Sequence, residues 1–261
     1  MGEQMFIDSH CHLDFSCFAD DREMLLQKLE QLQISTIIIP AIQRKTWLEI
    51  QRLCSDHKNL YYALGIHPHF IDRFQEDDLQ VLTHLLEKRD RRCVAVGEIG
   101  LDKQVQIDMQ LQEAVFIKQL QIAQRFNLPV ILHIVKQQSR VLEILKAQKF
   151  TQGGVYHAFS GSYEVAQEFM KLGFKFGIGG VVTYPGSGKT KRTVSRLPVE
   201  ALLLETDAPD MPVYQQRQAY NSPDNLLVIF EALVQLRSES KSCLATQIYK
   251  NTQCIFSLNN D

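Results

Sequence analysis

Short, almost wholly apolar runs alternate with longer stretches in which apolar residues recur every three or four positions, from one end of the chain to the other. The short runs are Phe6 to Asp8, Thr36 to Pro40, Leu60 to Gly65, Cys93 to Gly97, Pro129 to His133, Gly154 to His157, Lys175 to Ile178 and Ala201 to Glu205. Their brevity and continuity predict strands buried on both faces, as in a parallel sheet. Between them, helical periodicity predicts helices over Arg22 to Gln33, Leu79 to Arg89, Ile107 to Asn127, Ser139 to Gln148 and Tyr163 to Leu172, with Pro223 to Arg237 after the last strand. Eight such units predict an α/β fold, a (β/α)8 TIM barrel whose right-handed crossovers place the helices outside the strands. A doubly wound open sheet would put a glycine-rich turn after its first strand, where this chain has His10-Cys11-His12. Ser242 to Ser257 predicts an additional C-terminal helix without an obvious chemical role.

The 261 residues, with no Pro/Gly/Ser linker, low-complexity tract or charge block, are read as one domain spanning 1–261. A hydrophobic content of 45% with 22% charged residues excludes a disordered chain. The N-terminus lacks a basic region followed by an apolar stretch, and no segment has the apolar length to cross a bilayer, so a cytoplasmic location with no membrane contact is expected. Cys11, Cys17, Cys54, Cys93, Cys243 and Cys254 form no C-x-x-C pair, which argues against a disulfide framework or a structural zinc site. A net charge of −2 argues against nonspecific coating of nucleic acid by bulk charge, but not against an enzyme whose bound cations supply local positive charge.

Candidate chemistry begins at His10 and His12. Side chains two apart on a strand share a face, so two imidazoles at the exit of the first strand can grip one ion. Other metal-ligand types recur where later strands end: Glu98 after Val94-Ala95-Val96-Gly97, His133, His157, and Asp207 after Leu202 to Thr206. In a barrel these C-terminal ends converge on one mouth, so the six residues are expected to meet there. Six ligands exceed the three plus water usual for one catalytic ion, and two ions are more economical. Glu98 is the expected bridge, with His10, His12 and Asp207 grouped around one ion and His133 and His157 around the other. A binuclear centre implies hydrolysis by a metal-activated hydroxide. Asp207 is assigned a double duty as ligand and proton acceptor, and Glu98 a catalytic role as the bridge. Glu205 should face the same side and orient Asp207 or a neighbouring ligand.

With these residues in place, the chain resembles the TatD family of metal-dependent hydrolases, and within it the YjjV-type members. The resemblance rests on His10-Cys11-His12-Leu13-Asp14, Gly65-Ile66-His67-Pro68-His69, Gly97-Glu98-Ile99-Gly100-Leu101-Asp102, Pro129 to His133, His157-Ala158-Phe159-Ser160-Gly161 and Glu205-Thr206-Asp207-Ala208-Pro209, in family order over nearly the whole chain. It implies an amidohydrolase-like barrel, a divalent metal pair and phosphodiester hydrolysis, with deoxyribonuclease activity the best-known chemistry. Glu98 stands where many barrel hydrolases carry a modified lysine, which favours a TatD-like centre. His67, in the Gly-Ile-His-Pro-His motif, is assigned to substrate binding, such as phosphate; a hydrogen-bonded loop histidine is the other reading. The chain departs from the family where Ile134-Val135-Lys136-Gln137-Gln138 replaces a stretch containing arginine, and where Lys103 replaces an aromatic.

Pro185-Gly186-Ser187-Gly188-Lys189-Thr190 fails as a phosphate-binding loop, because Thr183 stands where the first glycine is needed. Lys189, Lys191, Arg192 and Arg196 leave a basic stretch there that could touch a nucleic-acid backbone or simply be a solvated loop face. Asp14 and Asp102 could orient ligands or serve turns. The expected activity is therefore phosphodiester hydrolysis with two divalent cations (zinc, manganese or magnesium), acting on DNA or a smaller phosphorylated substrate; no protein partner is implied. The alternatives are hydrolysis of a small amide, lactone or ester on the same centre, and a non-catalytic metal-binding or interaction protein.

Overall fold

The computed structural model describes residues 4–216 and 219–258. Eight parallel strands pair in chain order: β1 (Phe6–Asp8), β2 (Ile34–Pro40), β3 (Leu60–Leu64), β4 (Cys93–Asp102), β5 (Val130–Val135), β6 (Gly154–Tyr156), β7 (Phe174–Ile178) and β8 (Leu202–Leu204). The ring closes just beyond the assigned strands. Ser9 N–H donates to the Leu204 carbonyl at 2.9 Å, Asp207 N–H to that of His10 at 2.8 Å and His12 N–H to that of Ala208 at 2.8 Å. The helices α1 (Arg22–Gln31), α2 (Trp47–Asp56), α3 (Glu76–Glu87), α4 (Met109–Arg125), α5 (Gln138–Ala147), α6 (Tyr163–Lys171), α7 (Gly188–Arg196) and α8 (Leu226–Val234) follow strands β1 to β8 in turn, and α9 (Lys241–Phe256) ends the fold. This is a (β/α)8 barrel. Among the described residues, no helix is long and apolar enough to cross a membrane.

Two apolar layers hold it. The larger lies between strands and helices and includes Trp47, Phe116, Phe159 and Phe230. The smaller fills the barrel with Ile38, Ala63, Ala95, Ile131, Val155 and Leu203, and Phe256 of α9 packs into it. The C-terminal helix therefore has a structural task, contributing roughly 2–3 kcal/mol through that one ring. Ser162 caps α6 by accepting from Val165 N–H, and Ser240 caps α9 by accepting from Cys243 N–H.

Two expectations need correction. The fourth strand does not stop at Gly97: its ladder with β5 runs on through Ile99 with Leu132 to Asp102 with Val135, placing Glu98 inside the strand and Asp102 at its exit. The register shifts between Val96 and Ile99, an irregularity that re-aims side chains, and Glu98 N–H crosses to the Ala41 carbonyl at 2.8 Å. The basic stretch after β7 is a helix, α7, despite its glycine, serine and threonines. Tertiary bonds override weak propensity there: Thr193 Oγ1 donates to the Gly161 carbonyl at 2.9 Å, and Arg237 Nη1 caps the Val194 and Leu197 carbonyls.

Candidate metal centre

The strand exits bring His10, His12, Glu98, His133, His157 and Asp207 into one buried cluster at the barrel mouth. On one side, His10 Nε2 lies 3.4 Å from His12 Nε2, 3.2 Å from Glu98 Oε2 and 3.3 Å from Asp207 Oδ1. His12 Nε2 lies 3.6 Å from each of the same two carboxylate oxygens. Four donors placed 2.0–2.1 Å from a central divalent ion in a tetrahedron stand about 3.4 Å apart. The five separations are close to that spacing; His10, His12 and Glu98 form one compact donor set, and His10 also joins His157 and Asp207 in another.

On the other side, Glu98 Oε1 lies 2.7 Å from His157 Nε2 and 3.1 Å from His133 Nδ1, and the two imidazole nitrogens are 3.2 Å apart. His157 also stacks on His10 with ring centroids 4.1 Å apart, so the two donor sets abut. His67 stands closer to the cluster than a role confined to substrate would need. Its Nε2 is 3.5 Å from Glu98 Oε1, and it forms with buried Glu98 and half-buried His133 a further set of donors that could hold an ion. His67 Nδ1 accepts from His69 N–H at 3.0 Å, which leaves Nε2 to carry the proton toward Glu98.

Outer partners fix the rings. His12 Nδ1 is 3.2 Å from the Pro40 carbonyl, so Nδ1 holds the hydrogen and Nε2 is free to ligate. His133 Nε2 is 3.0 Å from Asp102 Oδ2, and His69 Nε2 reaches the same oxygen at 2.8 Å. Glu205 is fully buried, accepts from Ala158 N–H at 2.5 Å and lies 3.9 Å from His157 Nδ1. A Cβ on Gly177 would fall 1.8 Å from Glu205 Oε2, so only glycine leaves room for that carboxyl. Asp8 accepts from Thr206 Oγ1 at 2.5 Å, Thr206 N–H at 3.0 Å and His10 N–H at 3.2 Å, tying the exits of β1 and β8 together.

Two buried glutamines on one face of α4 hold the loops from behind. Gln112 brackets Asp102, accepting from its N–H at 2.9 Å and donating to its carbonyl at 3.1 Å. Gln119 does the same for Ile66, at 2.8 and 3.1 Å, and so fixes the approach to His67. Sequence reading missed both, since glutamine in an amphipathic helix reads as surface; their spacing of seven, in line with Val115 and Phe116, was the available signal.

Electrostatics follow from this packing. Burial would push the Glu98 carboxyl up, but the imidazoles of His157, His10 and His67 outweigh it and hold it well below the usual carboxylate range. Burial likewise opposes the His157 cation, yet Glu98, Asp207 and Glu205 together lift it to about 10. Burial takes His10 down to about 4 and His67 well below the ordinary imidazole value. Burial also raises Glu205 to about 8 and Asp8 to about 7. A buried carboxylate surrounded by imidazoles is donor chemistry suited to a divalent cation.

Comparison with known proteins points the same way. The profile of the family described as TatD related DNase matches residues 7–257. The chain is 38% identical to the Escherichia coli K12 metal-dependent hydrolase YjjV, over 97% of this chain and 98% of that one. It is 30% identical to the Bacillus subtilis metal-dependent hydrolase YabD, over 98% and 100%. The crystal structure of E. coli YjjV, a TatD homologue, superposes with a TM-score of 0.94 over 97% of this chain and 98% of that one. The phosphotriesterase homology protein of E. coli shares the fold at 14% identity, with a TM-score of 0.70 and coverage of 98% and 100%.

Proposed function

Since the chain belongs to the TatD related DNase family and is a metal-dependent hydrolase, we propose that it hydrolyses phosphodiester bonds, in DNA or a smaller phosphorylated substrate, with two divalent cations sharing the Glu98 carboxylate. The observation that carries this reading is the split of that carboxylate: Oε2 faces His10 at 3.2 Å while Oε1 faces His157 at 2.7 Å. His10, His12 and Asp207 would complete one set with Oε2, and His133 and His157 the other with Oε1. Cations so held lower the pKa of a water and neutralise charge on the phosphoryl oxygens.

The chain's own groups divide the remaining work. Asp207 is the most open carboxylate of the cluster, its side chain 12% exposed against 2% for Glu98. That openness supports Asp207 as the group that would meet the attacking water and take its proton. His67, neutral through burial and with its proton on Nε2, donates a hydrogen bond rather than a charge. Asp102 keeps His133 in place, Glu205 lies 3.9 Å from His157 Nδ1, and the closed apolar barrel beneath excludes water from below.

The test is hydrolysis of a DNA strand, bis(p-nitrophenyl) phosphate, a lactone and an amide by purified, metal-loaded protein. Phosphodiester turnover that a chelator abolishes is expected. Lactone or amide turnover without phosphodiester turnover would replace this reading with a different hydrolase on the same centre.

A further inference from the structure

The exits of β4 and β5 carry two cations that the donor cluster does not use. The ladder pairs Asp102 with Val135, and one step on, Lys103 N–H donates to the Val135 carbonyl at 3.1 Å. Lys103 follows Asp102 directly and Lys136 follows Val135, so two lysines flank the last rung at the barrel mouth. Both are exposed. Among the described residues, neither ammonium group has a carboxylate within ion-pair distance or a side-chain hydrogen bond. The adjoining carboxylate is already committed: Asp102 accepts from His133 at 3.0 Å, His69 at 2.8 Å and Gln104 N–H at 2.7 Å.

Backbone conformation singles out the same place. Among left-handed non-glycine residues, Gln33, Asn127, Lys149 and Ser257 follow helix ends, where that conformation is ordinary, and Met211 and Gln215 lie in the long loop after β8. Lys136 (φ 54°), Ala158 (φ 47°) and Asp207 (φ 55°) instead lie at strand exits around the donor cluster. Asp207 is itself a donor, and Ala158 turns its N–H onto Glu205. Left-handed backbone at non-glycine residues costs energy and persists where the surroundings hold a group in a particular direction. Lys136 belongs to that set.

Resting on the phosphodiester reading above, we propose that Lys103 and Lys136 form a subsite for a second, non-scissile phosphate of a nucleotide substrate. Lysines at adjacent positions on neighbouring strand exits, neither with a counter-ion, leave positive charge there that a phosphate anion neutralises. Lysine binds phosphate as a point charge, so the subsite selects for the presence of the second phosphate and not for a base. It adjoins the His133 edge of the cluster, since Lys103 follows Asp102, whose Oδ2 is 3.0 Å from His133 Nε2.

The direct test is calorimetric binding to the manganese-loaded protein of thymidine 3′,5′-bisphosphate, thymidine 5′-monophosphate and thymidine 3′-monophosphate. The bisphosphate is expected to bind about tenfold more tightly than either monophosphate. Lys103→Gln/Lys136→Gln should erase that preference and leave monophosphate affinity unchanged. Lys103→Arg/Lys136→Arg should keep it, as should Lys189→Gln/Arg192→Gln on α7. Equal affinities in the parent protein, or a preference that survives the first double substitution, overturns the subsite. Turnover of bis(p-nitrophenyl) phosphate by the same preparations reports separately on the phosphodiester reading. No turnover with a lysine-dependent preference retires that reading and leaves the anion subsite standing; turnover without the preference does the reverse.

Discussion

His133 Nε2 and Asp102 Oδ2 lie 3.0 Å apart, and this contact sets which nitrogen of His133 faces the cluster. With Nε2 donating outward, Nδ1 is left as the lone-pair donor, 3.1 Å from Glu98 Oε1. Burial would raise the Asp102 carboxyl, but hydrogen bonds from His133, Gln104 N–H and His69 outweigh it and hold it well below its usual value, keeping it an anion. Asp102→Asn keeps the shape and loses the charge. It is expected to weaken metal binding on the His133 side by about 10–100-fold, measured by competition with a chromogenic chelator. Unchanged affinity would assign Asp102 to the loop turn alone.

The two donor sets should be separable. His133→Ala is expected to empty the His133/His157 side while the His10/His12 side keeps its ion, so metal content falls by about one per chain. His12→Ala should have the complementary effect. Equal loss from both sides in His133→Ala would mean that the grouping around Glu98 is wrong.

Asp207→Ala removes a donor and the most open carboxylate together. Phosphodiester turnover is expected to fall by at least about 10²-fold, at saturating metal so that reduced occupancy does not account for the loss. Asp207→Asn, which can still ligate through its amide oxygen, should retain metal better than it retains turnover. Turnover unchanged in either variant removes Asp207 from the proton-transfer role.

Metal uptake should release protons. In the metal-free protein Glu98, Asp207 and Glu205 outweigh burial and lift His157 to about 10, so its imidazole is protonated at neutral pH. A ligating imidazole must be neutral. Affinity on that side therefore rises with pH until about 10 and falls as the solution is acidified, and calorimetry in two buffers of different ionisation enthalpy should show at least one proton released per chain. Uptake with no proton release would contradict this arrangement.

The tie between the exits of β1 and β8 is a stability feature. Asp8→Ala strands the Thr206 hydroxyl, Thr206 N–H and His10 N–H in the interior. Leaving buried donors unpaired costs about 1–3 kcal/mol, and the melting temperature of metal-free protein should drop accordingly. Asp8→Asn, which keeps one acceptor, should lose less.

Much of this was legible in the sequence because strand periodicity and ligand chemistry coincide. Wherever a short apolar run ended in His, or in Glu or Asp one or two residues on, the parallel barrel carried that group to one mouth. His10, His133 and Asp207 come from distant segments and needed only that rule. The length of β4 was not legible, since Gly97 and Gly100 interrupt the apolar run that signals a strand; the ladder to β5 supplies what local pattern lacks. Asp102, weighed for orienting a ligand or shaping a turn, acquires its contact with His133 only through that extension. Gln112 and Gln119 were invisible for a different reason: a buried amide that brackets a backbone group is defined by its partner across the fold. α7 was hidden because its residues favour loops, and it is held as a helix by contacts with Arg237 just beyond α8 and with Gly161 in the loop after β6.

The shared Glu98 carboxylate is tested most directly by metal analysis of the protein reconstituted with manganese or zinc, in the parent and in Glu98→Gln. Two ions per chain are expected in the parent, falling below one in the variant together with loss of phosphodiester turnover. One ion per chain in an active parent, or two retained in Glu98→Gln, would contradict a two-cation centre bridged by Glu98.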